Sequence, residues 1–261
     1  MSIDEICIKY DIRNYTINED GTVDVDNEVY LVGCNLTELP LKFGIVDGSF
    51  NCSNNELTTL EGSPKSVGGY FKFTNNKLTD LKGGPEKVDS YFDCERNELT
   101  TLEGGPKLVG AYFCGFNNLY DLKGCPKEVV GDFYCNNNLL TTLEDGPKSV
   151  GYFGCGYNNL TNLKGCPKKI GGVFSIESNP LTDLVEVPEK MDKSIVCKNT
   201  PLGSIFNNAD LDFIKTFNTF KVIKDNVINL NVVNLNRLKY VMELFDKPIF
   251  LDDIKKHYKV K

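Results

Sequence analysis

The sequence has little of what most enzymes and membrane proteins require. The only histidine in the 261 residues is His257, so neither a histidine-based catalytic arrangement nor a zinc site is expected. No stretch approaches the roughly eighteen apolar residues of a membrane-spanning helix. Residues Met1–Tyr10 lack the basic start and apolar run of a signal peptide. We therefore expect a cytoplasmic, non-catalytic protein with no metal, no other cofactor and no contact with a membrane.

Positive charge is also scarce. The chain has 29 lysines and arginines against 36 aspartates and glutamates, which gives a formal net charge of -7. Proteins that bind nucleic acid usually hold its phosphates with clusters of basic side chains. The composition therefore predicts that nucleic acid is not a partner. Glycine-rich stretches such as Gly83-Gly84 and Gly104-Gly105 recur at one place in a repeat and open no helix, so they predict no phosphate-binding loop.

What the sequence does contain is a repeat of about 21 residues between Gly48 and Leu202, and its clearest copy is SYFDCERNELTTLEGGPKLVG at Ser90–Gly110. A typical copy has an aromatic residue, then Cys, Asn and two leucines at fixed spacing, then Pro and an aliphatic residue. The aromatic column contains Phe50, Phe71, Phe92, Tyr112, Phe133, Phe153, Phe174 and, as its last member, Ile195. The asparagine column contains Asn55, Asn76, Asn97, Asn117, Asn138, Asn158 and Asn179. A fixed period of this length is typical of a solenoid.

Each part of the repeat has a physical interpretation. The Phe-x-Cys segment alternates as a short strand does, with Phe and Cys inward and their neighbours outward. The asparagine follows at a turn, where its side-chain amide can satisfy backbone groups of neighbouring coils. The leucines and the aliphatic residue fill the layer, and Gly and Pro form the remaining corners. The length leaves no room for a helix, so the repeat predicts a parallel sheet with one short strand per coil.

The pattern Phe92-x-Cys94-x-x-Asn97-x-Leu99-x-x-Leu102 is similar to the leucine-rich repeat in its shortest, proline-containing bacterial form. The repeat consensus, LTxLxGxPKxVGGxFxCxxN, resembles the consensus of repeat proteins of unknown role in tailed bacteriophages and giant viruses. The resemblance covers residues 28–203. It implies a leucine-rich-repeat-like solenoid: a curved parallel β-sheet with a mostly non-helical convex side. It does not indicate which partner the protein binds.

The ten cysteines fit this interior rather than a disulfide framework. Six of them share one column with Phe73 and Ile176, and they are Cys52, Cys94, Cys114, Cys135, Cys155 and Cys197. A position that accepts Phe, Ile or Cys is an apolar interior position. We therefore expect reduced, buried cysteines.

The segments outside the repeat are predicted to close its ends. Residues 1–27 combine a capping box at Ser2–Glu5, a helix from residue 3 to about 12 and a hairpin around Glu19-Asp20-Gly21. Residues 204–261 are predicted to form an α+β cap. Its expected elements are a helix from about Asn208, one strand over Val227–Val233, a helix after Asn234 and a short helix at Leu251–His257. A second binding element is the alternative for this segment.

One exposed column alternates in charge. It contains Glu61, Lys82, Glu103, Lys123, Glu144 and Lys164. Because neighbouring coils lie about 4.8 Å apart, each inner glutamate is expected to lie between two lysines. Exposed ion pairs contribute only about 0–1 kcal/mol each, so the column is interpreted as a solubility and register device.

The outward strand positions contain the candidate binding residues. Most are polar or small, but aromatic side chains cluster on adjacent coils, and exposed aromatic clusters are common anchors of protein interfaces. The predicted partner-binding residues are Tyr70, Tyr91, Arg96, Phe113, Phe116, Tyr134, Tyr152 and Tyr157. The alternative is that these rings only pack on each other across the coils. One repeat in this region is a residue short. The sequence therefore does not determine which side of the sheet Phe113 and Phe116 face.

These observations favour a non-catalytic protein-binding scaffold, present as a monomer or small oligomer. The resemblance to phage proteins implies a phage-encoded protein that binds a bacterial defence or regulatory protein, or alternatively another phage protein. Two other functions remain open: a structural component of a virion or self-assembling spacer, and the recognition arm of a bacterial effector.

Overall fold

The computed structural model describes residues 1–182, 186–201, 228–229, 232–244 and 249–261. Within these residues the chain forms a parallel β-solenoid of about eight turns, which confirms the predicted fold class. The helices are α1 (Ile3–Lys9), α2 (Leu235–Leu244) and α3 (Leu251–His257). The first strands are β1 (Tyr15–Ile17), β2 (Val23–Val25), β3 (Val29–Tyr30), β4 (Phe43–Val46), β5 (Phe50–Asn51), β6 (Ser66–Val67), β7 (Phe71–Lys72), β8 (Lys87–Asp93) and β9 (Leu108–Phe113). They are followed by β10 (Phe133–Tyr134), β11 (Ser149–Val150), β12 (Phe153–Gly154), β13 (Lys169–Ile170), β14 (Phe174–Ser175), β15 (Lys190–Met191), β16 (Ile195–Val196), β17 (Ile228–Asn229), β18 (Val232–Val233) and β19 (Lys259–Val260).

Most coils contribute two short strands rather than the single strand predicted. One ladder joins the aromatic column in the order β3-β5-β7-β8-β9-β10-β12-β14-β16. A second ladder joins the aliphatic column through β2, β4, β6, β8 and β9, and again through β11, β13 and β15. The prediction of one strand per coil was therefore wrong. A corner separates the two strands, and in β8 and β9 the chain runs through it as one continuous strand.

The short repeat is accommodated at this corner. Val88 pairs with Val109 and Phe92 pairs with Tyr112, although the second pair is one residue closer in sequence than the first. The register shift falls between Val88 and Tyr91, so the missing residue is absorbed before the aromatic column. Phe113 therefore keeps its outward orientation beside the fully buried Tyr112.

The predicted interior is confirmed. The aromatic column, the six-cysteine column and the described members of the two leucine columns are buried with almost no exposed surface. The buried rings stack from coil to coil, for example Phe50 on Phe71 with centroids 5.3 Å apart and Phe133 on Phe153 at 5.7 Å. All ten cysteines remain thiols, so no disulfide crosslinks the coils. Burial raises the pKa of the Cys94 and Cys135 thiols, which keeps them protonated and apolar.

The asparagine column forms a hydrogen-bonded ladder between coils, as the sequence predicts. The Oδ1 of Asn76 accepts a hydrogen bond from the backbone N–H of Leu57 in the preceding coil at 3.0 Å. Its Nδ2 donates to the carbonyls of Cys52 and Phe73 at 3.1 and 2.9 Å. The other asparagines of the column repeat this arrangement up to Asn179. Each amide thus satisfies buried backbone groups that the turn leaves unpaired.

The N-terminal segment closes the solenoid as expected. The capping box between Ser2 and Glu5 is formed, although α1 ends at Lys9 rather than near residue 12. Strands β1 and β2 form an antiparallel hairpin, and β2 then pairs in parallel with β4 of the first coil. The hairpin therefore covers the strand edge that the first coil would otherwise expose.

The C-terminal segment contains a small sheet of its own. Strand β18 pairs antiparallel with β17 and parallel with β19, so the single strand predicted over Val227–Val233 was wrong. Asn234 caps α2 by accepting a hydrogen bond from the backbone N–H of Arg237, and α3 lies at the predicted position. The helix predicted from Asn208 lies outside the described residues. Packing of this segment on the last coil stays a prediction.

The alternating charge column forms ion pairs across the coils in only one direction. Lys123 pairs with Glu103 and Lys164 with Glu144, each at 2.9 Å, whereas Lys82 pairs with Asp80 of its own coil at 3.6 Å. A glutamate between two pairing lysines is therefore not observed. The pairs that do form join coils that are neighbours along the solenoid.

Candidate partner-binding surface

Five of the predicted binding residues form one continuous row of rings on the outward face of the sheet. We call Tyr70, Tyr91, Phe113, Tyr134 and Tyr152 the aromatic ladder. Adjacent centroids are 4.8 Å apart for Tyr70–Tyr91, 5.7 Å for Tyr91–Phe113, 5.3 Å for Phe113–Tyr134 and 4.6 Å for Tyr134–Tyr152. The rings are half-buried. Tyr70–Tyr91 and Tyr134–Tyr152 are stacked, whereas Phe113 meets Tyr91 edge to face and is tilted against Tyr134. The structure thus contains the cross-coil ring packing that the sequence left open as an alternative.

The aromatic ladder is continuous although its members come from two sequence columns. Tyr91 and Tyr152 precede the buried aromatic position, whereas Tyr134 follows it. A Cβ on Gly154 would lie 2.8 Å from Cε1 of Tyr152 and 3.2 Å from Cδ1 of Tyr134. The missing side chain at Gly154 therefore makes room for the Tyr134–Tyr152 stack. Burial raises the pKa of both tyrosines, so their hydroxyls remain neutral hydrogen-bonding groups.

The other predicted residues lie at a turn beside the strands, not on the sheet face itself. Arg96, Phe116 and Tyr157 have φ values of 54°, 55° and 55°. The remaining members of this turn column are Asn54, Asn75, Asn137, Ser178 and Asn199, also at positive φ. Asparagine tolerates the left-handed conformation, whereas a bulky side chain there costs about 1 kcal/mol. Three positions of the column therefore hold residues that the local backbone disfavours.

Two of these residues expose aromatic surface. Phe116 is 39% exposed and Tyr157 is 51% exposed. We call them the turn aromatics. The guanidinium of Arg96 lies 4.2 Å from the centroid of the Phe116 ring and covers one face of it. The structure therefore brings Arg96 and Phe116 together and places Tyr157 separately, two coils further along.

Between the aromatic ladder and the turn aromatics runs a strip with few side chains. Its members include Gly115, Asn136 and Gly156, on consecutive coils. The amide of Asn136 is half-buried and makes no hydrogen bond within the described part of the chain. Glu95 lies at one end of the strip, and burial together with the nearby Asp93 raises the pKa of its carboxyl group. The strip thus offers a free amide and a carboxyl group between two sets of rings.

The sequence did not identify one residue of this surface. Tyr30 is exposed and follows the buried Val29, so it occupies the same outward column as Phe113 and Tyr134. The neighbouring Tyr70 and Glu28 side chains raise the pKa of the Tyr30 phenol, so Tyr30 lies near the Tyr70 end of the aromatic ladder. The opening repeat is degenerate, so the pairing of Val29 with Phe50 was needed to assign Tyr30 to this column.

The described residues contain no group of three or more His, Cys, Asp or Glu side chains placed to hold a metal ion. None of the described helices is long and apolar enough to cross a membrane. The predictions that the chain is not an enzyme and needs no cofactor stay predictions. The candidate site is a surface of rings and polar groups on a parallel β-solenoid.

No protein-family model matches the sequence, and no curated protein is significantly similar to it. The resemblance to short leucine-rich repeats and to phage proteins therefore depends on the repeat residues themselves.

Proposed function

We propose that this chain is a non-catalytic scaffold that binds another protein through the aromatic ladder and the turn aromatics. The observation that carries the proposal is the exposure of Phe116 and Tyr157 at turn positions with φ near 55°. Each large side chain costs about 1 kcal/mol there compared with asparagine. An exposed ring gains little in water, whereas a partner that covers it contributes binding energy. A binding role accounts for both features.

The surface has the composition of a protein interface. Tyrosine, phenylalanine and arginine are the residue types enriched at interface centres, and here they surround polar groups such as the free amide of Asn136. An amide and tyrosine hydroxyls can hydrogen-bond a partner's backbone. The aromatic ladder is already packed ring on ring, so it loses little side-chain entropy when a partner binds.

The proposed partner follows from the repeat consensus, which resembles the repeats of phage proteins. The protein is then made in the bacterial cytoplasm during infection, where it binds a host defence or regulatory protein and blocks it. It acts as a monomer or a small oligomer. Neither a nucleic acid nor a membrane takes part in this proposal.

The test uses a double substitution of Phe116→Asn and Tyr157→Asn. Asparagine is the residue most common in the turn column and tolerates positive φ, so the melting temperature should be unchanged or higher. Affinity capture from bacterial lysate, followed by mass spectrometry, would identify the partner of the natural chain. Binding of that purified partner should weaken by at least about tenfold in the double variant.

The matched control is Tyr120→Thr. Tyr120 is 57% exposed, and its column otherwise holds threonines such as Thr100 and Thr141. This change removes an exposed aromatic residue outside the proposed surface and should leave binding unchanged. Equal binding by the natural chain and the Phe116/Tyr157 double variant would refute the proposal. Substitution of Phe113 or Tyr134 is a weaker test, because it also removes ring packing within the aromatic ladder.

A further inference from the structure

Four lysines form a second surface feature, away from the aromatic ladder. Lys107, Lys127, Lys148 and Lys168 each follow a proline, lie on consecutive coils and are exposed. The backbone N–H of Lys148 donates to the carbonyl of Lys127 at 2.8 Å, and that of Lys168 donates to Lys148 at 3.0 Å. With about 4.8 Å between coils, this lysine row is about 14 Å long. It lies beside the second strand ladder, which joins the aliphatic column, and not beside the exposed aromatic ladder.

The lysine row differs from the alternating column in how its charge is balanced. In the alternating column, lysines pair with glutamates of the preceding coil, as Lys123 does with Glu103. In the lysine row the neighbours within the row are lysines, and only Lys127 and Lys168 pair with carboxylates, with Asp145 at 3.5 Å and Glu189 at 2.8 Å. Lys107 and Lys148 lie in no ion pair with any described residue. The positive charge in the row that no described carboxylate pairs with therefore belongs to Lys107 and Lys148, two exposed lysines of an acidic protein.

The row has defined ends. Glu86 precedes Lys107 in the same column and accepts its backbone hydrogen bond at 3.0 Å, and the backbone N–H of Glu189 donates to Lys168 at 2.8 Å. The Lys168 side chain also pairs with Glu189 at 2.8 Å. Carboxylates therefore close both ends of the row. A long polyanion lying along it would meet negative charge at each end, whereas a short anionic segment would not.

Aliphatic surface lies next to the lysine row. Leu108 is 64% exposed and directly follows Lys107, and Val130 is 91% exposed three residues after Lys127. Exposed aliphatic side chains can pack against an apolar side chain of a ligand. They do not provide the stacking platform with which proteins usually hold the bases of single-stranded nucleic acid.

We propose that the lysine row binds a short acidic segment of another protein, extended and carrying about three carboxylates over about 13 Å, with an aliphatic side chain packed on Leu108 or Val130. Charge complementarity and the closed ends of the row favour this ligand over nucleic acid. The inference is independent of the proposed role of the aromatic ladder.

The probe is a fluorescein-labelled peptide of sequence Ser-Glu-Leu-Glu-Leu-Glu-Ser, whose three glutamates span about 13 Å when it is extended, and its binding is measured by fluorescence anisotropy at low salt. A second peptide with glutamine in place of each glutamate is the ligand control. The test variant is K107Q with K148Q, and the matched control is K123Q with K164Q, which removes the same charge from the alternating column. We expect the test variant to bind the acidic peptide about tenfold more weakly and the control variant less than twofold more weakly. Binding should also weaken as salt rises.

Several results would overturn the inference. The first is that both double variants bind the acidic peptide more weakly by the same factor. The second is that the natural chain binds the glutamate and glutamine peptides equally well. The third is that the natural chain shows no saturable binding of the acidic peptide. The natural chain could instead bind a short oligothymidylate or phosphatidylserine vesicles more tightly than the acidic peptide. If K107Q with K148Q weakened that binding, the row would be assigned to nucleic acid or to lipid. All four substitutions lie on exposed side chains, so thermal melts of the variants should match that of the natural chain.

Discussion

Replacing Asn117 by alanine should destabilise the solenoid far more than replacing its neighbour Asn118. The Oδ1 of Asn117 accepts the backbone N–H of Leu99 at 3.0 Å, and its Nδ2 donates to the carbonyls of Cys94, Cys114 and Gly115. Each of these carbonyls accepts another hydrogen bond, so in the variant they keep a partner. The buried N–H of Leu99 does not, and an orphaned buried donor costs about 1–3 kcal/mol. With the lost amide contacts, we expect about 3 kcal/mol in total.

Asn118 provides the internal control, because its side chain is exposed and makes no hydrogen bond within the described residues. Its replacement by alanine should change the free energy of unfolding by less than about 0.5 kcal/mol. Urea unfolding followed by far-UV circular dichroism measures both variants, and Asn117→Ala should unfold at a midpoint about 1 M lower. Equal midpoints for the two variants would refute the idea that the asparagine ladder stabilises the coils.

Three further predictions test other parts of the structure. Tyr112 is fully buried and its hydroxyl has no hydrogen-bond partner among the described residues, so Tyr112→Phe should raise the free energy of unfolding by about 1 kcal/mol in urea titrations; a lower stability would contradict this. The hydrogen bond from Lys123 lowers the pKa of Glu103, so any stabilisation by this pair is present above the ordinary glutamate pKa and is lost as pH falls through the lowered value. The urea midpoints of Glu103→Gln and the natural chain should therefore converge on acidification, and a gap that persists at pH 2 would exclude this cause. Native alkylation followed by mass spectrometry should label only the half-buried Cys34 and Cys166, and rapid labelling of the buried cysteines would contradict the interior assignment.

The interior could be predicted because each of its columns repeats one type of residue. Eight aligned positions with Phe, Tyr or Ile require an apolar environment, and the asparagine after them requires backbone partners. The second strand of each coil left a weaker signal. It is often only two residues long, as in Ser66–Val67, and only one of the two is buried. Such a segment is too short for alternation to be recognised, so its pairing became evident only from the stacked coils.

The sequence predicted which residues belong to the candidate site, but not how they are arranged. The sequence aligned Phe116 and Tyr157 with the other rings, whereas the structure places them at the positive-φ turn. A signal for this existed: Asn54, Asn75 and Asn137 share their column, and asparagine is enriched at positive φ. The continuity of the aromatic ladder could not be predicted, because it depends on side-chain directions across the bare Gly154.

For the proposed scaffold, the turn column also limits how many binding residues the solenoid can display. Its side chains lie outside the packed interior, so a substitution there can alter recognition while the coils keep their hydrogen bonds. Every large residue in place of asparagine nevertheless lowers the free energy of unfolding by about 1 kcal/mol, and the total is on the order of 5–15 kcal/mol. Arg96, Phe116 and Tyr157 already occupy three positions of this column. Diversification of such a surface is therefore bounded by the stability of the interior, and a more stable variant should tolerate a larger set of displayed side chains.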